Sequence, residues 1–433
     1  MKILFDVSPL GMHGRLATGG IFRVIEEITK ESVANAELDS AFTAIASIWM
    51  STGTSGYFRR KAPTLKRRFD PSWHMTFIPP IITDTLRKHI FEWDLAGRPL
   101  SVTSWLARCA WFLMRRAARQ QVPSGPFDVL HSLCDPLPPR SLVDCRARVI
   151  TIYDVIPLIH PEFFPETTVP IFRSTLASID PSRDWVVCNS QSTKRDLMKV
   201  IAIDERRIEV IPLAADDRFH DRSTPDAIAS VRRRYHLPAC RYLLSLSTLE
   251  PRKNLAFLIR CFARLAATPA FSDIDLVLAG PKGWLTDELF ATFASDGRIQ
   301  SRVHFPGFIE DDDLAAVYAG ALAFVYPSLY EGFGLPPLEA MKCGTPVITS
   351  GTSSLPEVVG DAAILIDPRN EDDLCAALNT IATDPVRRLQ LSRDAAHRAA
   401  GFTWQKTMQR HADFYRRILS TDDVPGPANQ GSP

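Results

Sequence analysis

The residues best suited to chemistry fall within one short stretch, Tyr326-Pro327-Ser328-Leu329-Tyr330-Glu331-Gly332-Phe333-Gly334-Leu335-Pro336-Pro337-Leu338-Glu339-Ala340-Met341-Lys342-Cys343-Gly344-Thr345-Pro346. An apolar strand ends at Tyr326 and a glycine-bearing loop follows. A helix is expected to begin near Pro336, because a proline in the first turn forfeits no intrahelical hydrogen bond, and to stop at Gly344. The loop Gly332, Phe333, Gly334, Leu335 then presents unsatisfied N–H groups at a helix N-terminus, a natural seat for a diphosphate. Glu331 lies in the loop and Glu339 one turn into the helix, so both can face one cleft. Carboxylates accept hydrogen bonds from vicinal hydroxyls, as an acidic residue does for the ribose in dinucleotide folds. Taken singly, the two glutamates read as a helix-start carboxylate and an exposed helical residue. Their combination with the amide-rich turn points to a ligand carrying phosphate between two sets of hydroxyls.

A second segment, Ser245-Leu246-Ser247-Thr248-Leu249-Glu250-Pro251-Arg252-Lys253-Asn254, also follows a strand and opens a helix. Most adjacent Arg/Lys pairs are solvated surface cations. Aimed at a departing phosphate, Arg252 and Lys253 would instead stabilise the negative charge that develops on it. In Thr18-Gly19-Gly20-Ile21-Phe22-Arg23, between the first strand and the first helix, Gly19 and Gly20 either let the backbone approach a ligand closely or make a plain turn. Asp128 and His131 sit at another strand end expected to face the cleft, where His131 equally reads as structural.

Glu331 and Glu339, with seven residues between them, lie in Glu-Gly-Phe-Gly-Leu-Pro-Pro-Leu-Glu-Ala-Met followed by Gly-Thr-Pro-Val-Ile. This pattern resembles the signature of the family-4 retaining glycosyltransferases, and in particular bacterial O-antigen and exopolysaccharide mannosyltransferases. The resemblance continues through Ser353-Ser354-Leu355-Pro356-Glu357-Val358 and Gly360-Asp361-Ala362-Ala363 and covers nearly all of the second half. It implies a GT-B fold, with a nucleotide-sugar donor held mainly by the C-terminal domain and an acceptor by the N-terminal one. It implies that Glu331 binds hydroxyls of the transferred sugar, Glu339 the ribose and Lys253 the donor phosphates. Gly19, Gly20, Thr248, Gly332, Phe333, Gly334 and Leu335 complete the implied donor site. The sequence departs from the family in two places. Ser247 stands where many members carry an arginine, with Arg252 the candidate replacement. In Thr151-Ile152-Tyr153-Asp154-Val155-Ile156-Pro157, Tyr153 stands where many carry a histidine, which leaves open what Tyr153 and Asp154 do beside the reacting sugar.

These groups need a scaffold that brings loops together, and the rest of the chain supplies one. Short apolar runs alternate with helical patterns, which predicts an α/β fold of two Rossmann-like, doubly wound domains facing each other across a cleft. Strands are expected at Ile3–Val7, Phe127–His131, Val149–Tyr153, Trp185–Cys188 and Ile208–Ile211. In the second half they are expected at Arg241–Leu246, Asp275–Ala279, Arg302–Pro306, Ala323–Tyr326, Pro346–Thr349 and Ala363–Ile366. Residues 1–215 then form an acceptor-binding domain and 216–404 a donor-binding one. A helix over 405–420 crosses back to the first domain, and 421–433 is a disordered tail. Between Tyr57 and Arg119 the rhythm breaks: thirteen Lys or Arg stand against four Asp or Glu, interleaved with aromatics such as Trp73, Trp105 and Trp111. From Ser104 to Arg119 the cations fall on one helical stripe beside Trp105, Cys109 and Phe112. That fits a helix lying on an anionic membrane surface or an ordinary surface helix with its aromatics packed inward.

Composition excludes other classes. Fifty basic residues balance forty-nine acidic ones, unlike a general nucleic-acid binder. The eight cysteines form no CxxC pair or Cys/His cluster, which suggests reduced thiols and a cytoplasmic protein without a zinc site. No run is long and apolar enough for a membrane-spanning helix, so any membrane contact is expected to be peripheral. Asp273-Ile274-Asp275 precedes a strand, at the end away from the cleft, and Asp311-Asp312-Asp313 sits at a helix start; neither reads as a metal site, and no metal or other cofactor is expected. The donor is expected to be GDP-mannose or a UDP-hexose, and the acceptor a saccharide, best fitted by a lipid-linked oligosaccharide. Two other readings share the motifs: a nucleotide-sugar 2-epimerase and a non-catalytic sugar-nucleotide-binding subunit.

Overall fold

The computed structural model describes residues 1–12, 20–71, 73–74, 119–120, 125–220, 223–421 and 424. Two six-stranded parallel sheets carry the fold. The first contains β1 (Lys2–Asp6), β2 (Asp39–Thr43), β5 (Phe127–Ser132), β6 (Cys145–Ile152), β7 (Trp185–Cys188) and β8 (Ile208–Val210), in the order β2-β1-β5-β6-β7-β8. The second contains β9 (Arg241–Leu246), β10 (Ile274–Ala279), β11 (Val303–Gly307), β12 (Ala323–Tyr326), β13 (Val347–Ser350) and β14 (Ile364–Ile366), in the order β11-β10-β9-β12-β13-β14. A separate antiparallel pair joins β3 (Trp73–His74) to β4 (Arg119–Gln120). Every residue of β7 and β12 is buried, as expected of parallel strands covered by helices on both faces.

The sequence expectation omitted β2. Among the described strands β2 neighbours β1 alone, with one isolated bridge from Phe42 to Phe69, and Asp39-Ser40-Ala41-Phe42-Thr43 lacks the continuous apolar run of a central strand. The other eleven main strands form within a few residues of their expected bounds. Of the segment 57–119, the described part begins at the end of the helix Ile48–Arg60. There Phe58 is fully buried and the Tyr57 hydroxyl donates to Glu26 Oε1 at 2.8 Å. Of the stripe from Ser104 to Arg119 only Arg119 is described, and it lies in β4 rather than in the expected helix; the rest of the stripe and most of the expected tail lie outside the described residues.

After the second sheet, the helix Trp404–Leu419 packs against the first one. Thr407 Oγ1 donates to the Pro212 carbonyl at 2.9 Å, and Phe414 meets Trp185 edge to face. The Tyr415 hydroxyl lies 2.6 Å from His131 Nδ1, while His131 Nε2 lies 2.9 Å from Thr151 Oγ1. This corrects the expectation that Asp128 and His131 face the cleft. His131 is fully buried under the terminal helix, and Asp128 accepts from the Lys2 N–H and pairs with Arg146. His131 ties the first sheet to the covering helix, and Asp128 links neighbouring strands within it.

Burial pushes His131 well below the ordinary histidine value, with His411 adding a smaller effect, and pushes His411 from 6.5 down to about 4. The unfolded chain therefore binds protons that the fold refuses, and stability should fall as pH drops from about 6.5 toward 4. Each histidine can contribute up to about 1.4 kcal/mol per pH unit in that window. Chemical denaturation of His411→Phe should show a shallower pH dependence than the parent over that range, and an unchanged slope would contradict this account.

Candidate active site

In the second sheet the strand order reverses between β9 and β12, which lie side by side. Loops leaving the carboxyl ends of such a pair diverge and open a crevice, the usual binding place in doubly wound folds. The loop after β9 carries Arg252 and Lys253, and the loop after β12 carries Glu331. A short 3₁₀ turn, Pro251–Lys253, ends on Asn254 in the left-handed conformation (φ 58°), which asparagine tolerates better than most residues. The Asn254 amide donates to the Pro327 and Pro368 carbonyls, and Leu329 N–H and Ser328 Oγ donate to the Arg252 carbonyl. The two loops are therefore stitched together.

Their side chains meet in a buried ionic cluster. Glu331 Oε1 accepts from Lys253 Nζ at 2.6 Å, Ser328 Oγ at 2.6 Å and the Tyr326 hydroxyl at 2.9 Å. Arg252 Nη1 lies 2.6 Å from Glu331 Oε2, and Arg252 Nη2 donates to Glu250 Oε1 at 2.6 Å. Burial alone would raise the Glu331 pKa, but the Arg252 and Lys253 cations outweigh it and hold the carboxyl at about 2. Burial and the neighbouring guanidinium pull Lys253 below the usual ammonium range, against the attraction of Glu331.

Next to this cluster, the chain turns through Gly332, Phe333 and Gly334 into the helix Leu335–Lys342. Gly334 has φ 114°, and the N–H groups of Gly332, Phe333 and Gly334 have no acceptor among the described residues. Gly332 lies against the first domain: a Cβ there would sit 2.3 Å from the Tyr153 carbonyl oxygen. The Gly332 carbonyl accepts from Ser190 Oγ at 2.7 Å and Thr193 Oγ1 at 3.1 Å, also from the first domain. Asp154 accepts from the Ile156 N–H at 3.0 Å, and its carboxyl is raised by burial against the pull of Arg252. The Tyr153 hydroxyl is buried without a hydrogen-bond partner among the described residues.

A cleft of about 500 Å³ joins these parts. Gly20, Tyr153, Asp154, Thr248, Arg252, Lys253, Glu331, Gly332, Phe333, Gly334 and Leu335 all line it. Of the other two expected site residues, Gly19 lies outside the described residues. Glu339 stands one turn deeper in its helix, buried rather than exposed. Its Oε1 lies 3.1 Å from Arg23 Nη2, and its Oε2 accepts from the Tyr318 hydroxyl at 3.0 Å. Burial raises the Glu339 carboxyl against the opposing charge of Arg23.

The chain has known relatives. The family described as "Glycosyl transferases group 1" matches residues 238–398. The O-antigen chain mannosyltransferase B of Escherichia coli is 32% identical over 271 residues, covering 62% of this chain and 70% of that protein. The serotype-specific mannosyltransferase WbdA of the same species is 33% identical over 282 residues, or 63% of this chain; the chain spans only 34% of WbdA. The crystal structure of HepE from Anabaena in complex with UDP and glucose superposes with a TM-score of 0.62 at 17% identity, over 96% of this chain and 100% of HepE. WaaG, a glycosyltransferase involved in lipopolysaccharide biosynthesis, gives 0.61 at 15% identity, over 96% and 99%. The chain belongs to the group 1 glycosyl transferases. The two sheets and the cleft between them are a GT-B fold.

Sequence reasoning did not select several groups that line this glycosyltransferase cleft, among them Arg23, Asn189, Gly280, Trp284, Phe308 and Asp311. Gly280 was open to detection. Gly280-Pro281 directly follows β10, a strand end on the cleft side, and Gly280 has φ 128°. A Cβ there would fall 1.9 Å from the Ser247 carbonyl oxygen. Arg23 and Asn189 carry no local signal, because only the docking of the two domains brings them to the site. Asp273 pairs with Arg241, and Asp275 with Arg302 and His304, at the opposite end of β10. Among the described residues no group of three His, Cys, Asp or Glu is placed to hold a metal, and no helix is long and apolar enough to cross a membrane.

Removing the Glu331 charge leaves Lys253 buried without its carboxylate partner and Arg252 with Glu250 alone. Glu331→Gln should therefore cost about 3–5 kcal/mol of stability, the usual result of deleting one partner of a buried ion pair. Urea unfolding measures it, and a loss below about 1 kcal/mol would show that the cluster is not the charge-coupled centre described.

Proposed function

We propose that the protein is a metal-independent, retaining hexosyltransferase. In this reading it moves mannose from GDP-mannose, or failing that a hexose from a UDP donor, to a hydroxyl of a lipid-linked oligosaccharide in bacterial surface-polysaccharide synthesis. It would work in the cytoplasm, at the inner face of the membrane. The observation that carries the reading is the convergence of Lys253, the Gly332–Gly334 amides and Glu331 on one interdomain cleft. The E. coli mannosyltransferases named above support the choice of mannose and of a polysaccharide acceptor.

The diphosphate sits on the Gly332–Gly334 N–H groups with Lys253 beside it, and the hexose lies toward Glu331 and Asp154. The acceptor hydroxyl oxygen bonds to the anomeric carbon on the face that the phosphate leaves. The bond from that carbon to the phosphate oxygen breaks, with its electron pair passing to the phosphate. The acceptor proton ends on that same oxygen, which accounts for retention without a glycosyl-enzyme intermediate. Charge builds on the leaving group as the bond breaks, and fixed dipoles and cations aimed at it stabilise the transition state. The closed domains keep water from competing with the acceptor.

Incubation with GDP-mannose and a lipid-linked oligosaccharide should give acceptor-dependent release of GDP, undiminished by EDTA. Conversion of donor alone to an isomer would favour the epimerase reading, and binding of donor without transfer to any acceptor would favour a non-catalytic subunit. Loss of transfer in EDTA would defeat metal independence. In an active preparation, Lys253→Ala should lower turnover on the order of a hundredfold, and near-normal turnover would remove Lys253 from the mechanism.

A further inference from the structure

Ser247 leaves the donor site without the arginine that the family pattern places before Lys253, and the structure shows how far Arg252 can replace it. Arg252 directs Nη1 to Glu331 and to the Tyr330 carbonyl, and Nη2 to Glu250. Both terminal nitrogens are committed, and Arg252 and Lys253 face two carboxylates, Glu331 and Glu250. Arg252 therefore has no terminal nitrogen left to offer an incoming diphosphate beside Lys253.

Among the described residues, the other arginine lining the cleft comes from the opposite domain. Arg23 lies in the first turn of the helix Gly20–Ala34, whose start abuts the start of the helix Leu335–Lys342. A Cβ on Gly20 would lie 3.7 Å from Leu335 Cδ1. The N-terminus of the helix Leu335–Lys342, which favours an anion, thus lies against the helix that carries Arg23. Arg23 Nη2 binds Glu339 Oε1, while Nη1 is buried without a hydrogen-bond partner among the described residues, 4.0 Å from Asp311 Oδ1. Arg23 therefore holds the glutamate suited to a ribose diol and lines the same cleft as the amides suited to a diphosphate.

We propose that Arg23 is a donor-binding residue that exchanges the Glu339 carboxylate for the diphosphate of a nucleotide-sugar donor, giving Glu339 to the ribose. This rests on the donor site set out under Proposed function. The two partners of Arg23 are then joined by the ligand itself, since ribose and diphosphate are covalently linked. One domain-spanning contact replaces another, and the phosphate charge is met from both sides of the cleft. A ribose without phosphates must displace Arg23 from Glu339 and gives it nothing in return, whereas a nucleoside diphosphate supplies a new acceptor in the same step.

Calorimetry with GDP and UDP, and NMR titration with guanosine and uridine, compare the parent with Arg23→Ala and Arg23→Lys. Thermal melts verify that each variant folds. Arg23→Ala should weaken the preferred diphosphate tenfold or more, while the matching nucleoside binds as tightly as to the parent or more tightly. Arg23→Lys, which keeps the charge, should recover part of the diphosphate affinity. Diphosphate affinity within twofold of the parent in Arg23→Ala would overturn the proposal, as would equal losses for nucleoside and diphosphate, the pattern of a merely supporting residue. A parent protein that binds neither GDP nor UDP would defeat the donor reading and this one with it. A parent that binds one of them, with Arg23→Ala unaffected, would defeat this one alone.

Discussion

Three ionised groups buried at the seam of two loops govern this molecule. Taking Arg252, Lys253 and Glu331 out of water costs several kcal/mol per ion, a cost offset only when geometry and additional hydrogen bonds are favourable. Here Ser328, Tyr326 and the Tyr330 carbonyl supply the additional bonds. The arrangement requires β9 and β12 to be neighbours and their loops to part at the reversal of strand order. The second sheet is in this sense the frame that makes the cluster affordable.

The same cluster fixes how the domains meet. The Gly332 carbonyl is held by Ser190 and Thr193, and the Tyr330 hydroxyl donates to Asp196 at 2.6 Å. The Glu357 carboxylate accepts from the Gln191 and Ser192 N–H groups at 2.8 Å each, capping the helix Gln191–Val200 from across the cleft. These contacts flank the residues that would handle the donor. On the proposed reading, domain docking and donor binding draw on the same loops, as a reaction that must exclude water requires.

The second sheet and its loops were the most legible part of the sequence, because their signals are local. A strand, a glycine turn, Pro336 in the first helical turn and Gly344 beyond the last all act within about twenty residues. β2 escaped because an edge strand with a polar sequence owes its pairing to β1 rather than to its own pattern. His131 was placed at the correct strand end and on the wrong side of the fold. The helix that covers it, Trp404–Leu419, arrives from nearly three hundred residues away. Arg23 and the buried setting of Glu339 were invisible for the same reason: each is defined by a partner on the other domain.

A crystal structure of the protein with its nucleoside diphosphate tests the central arrangement most directly. The account places phosphate oxygens within about 3 Å of the Gly332–Gly334 N–H groups, with Lys253 beside them and the ribose hydroxyls on Glu339. A nucleotide bound with its phosphates away from the turn after β12, or outside the interdomain cleft, would contradict it.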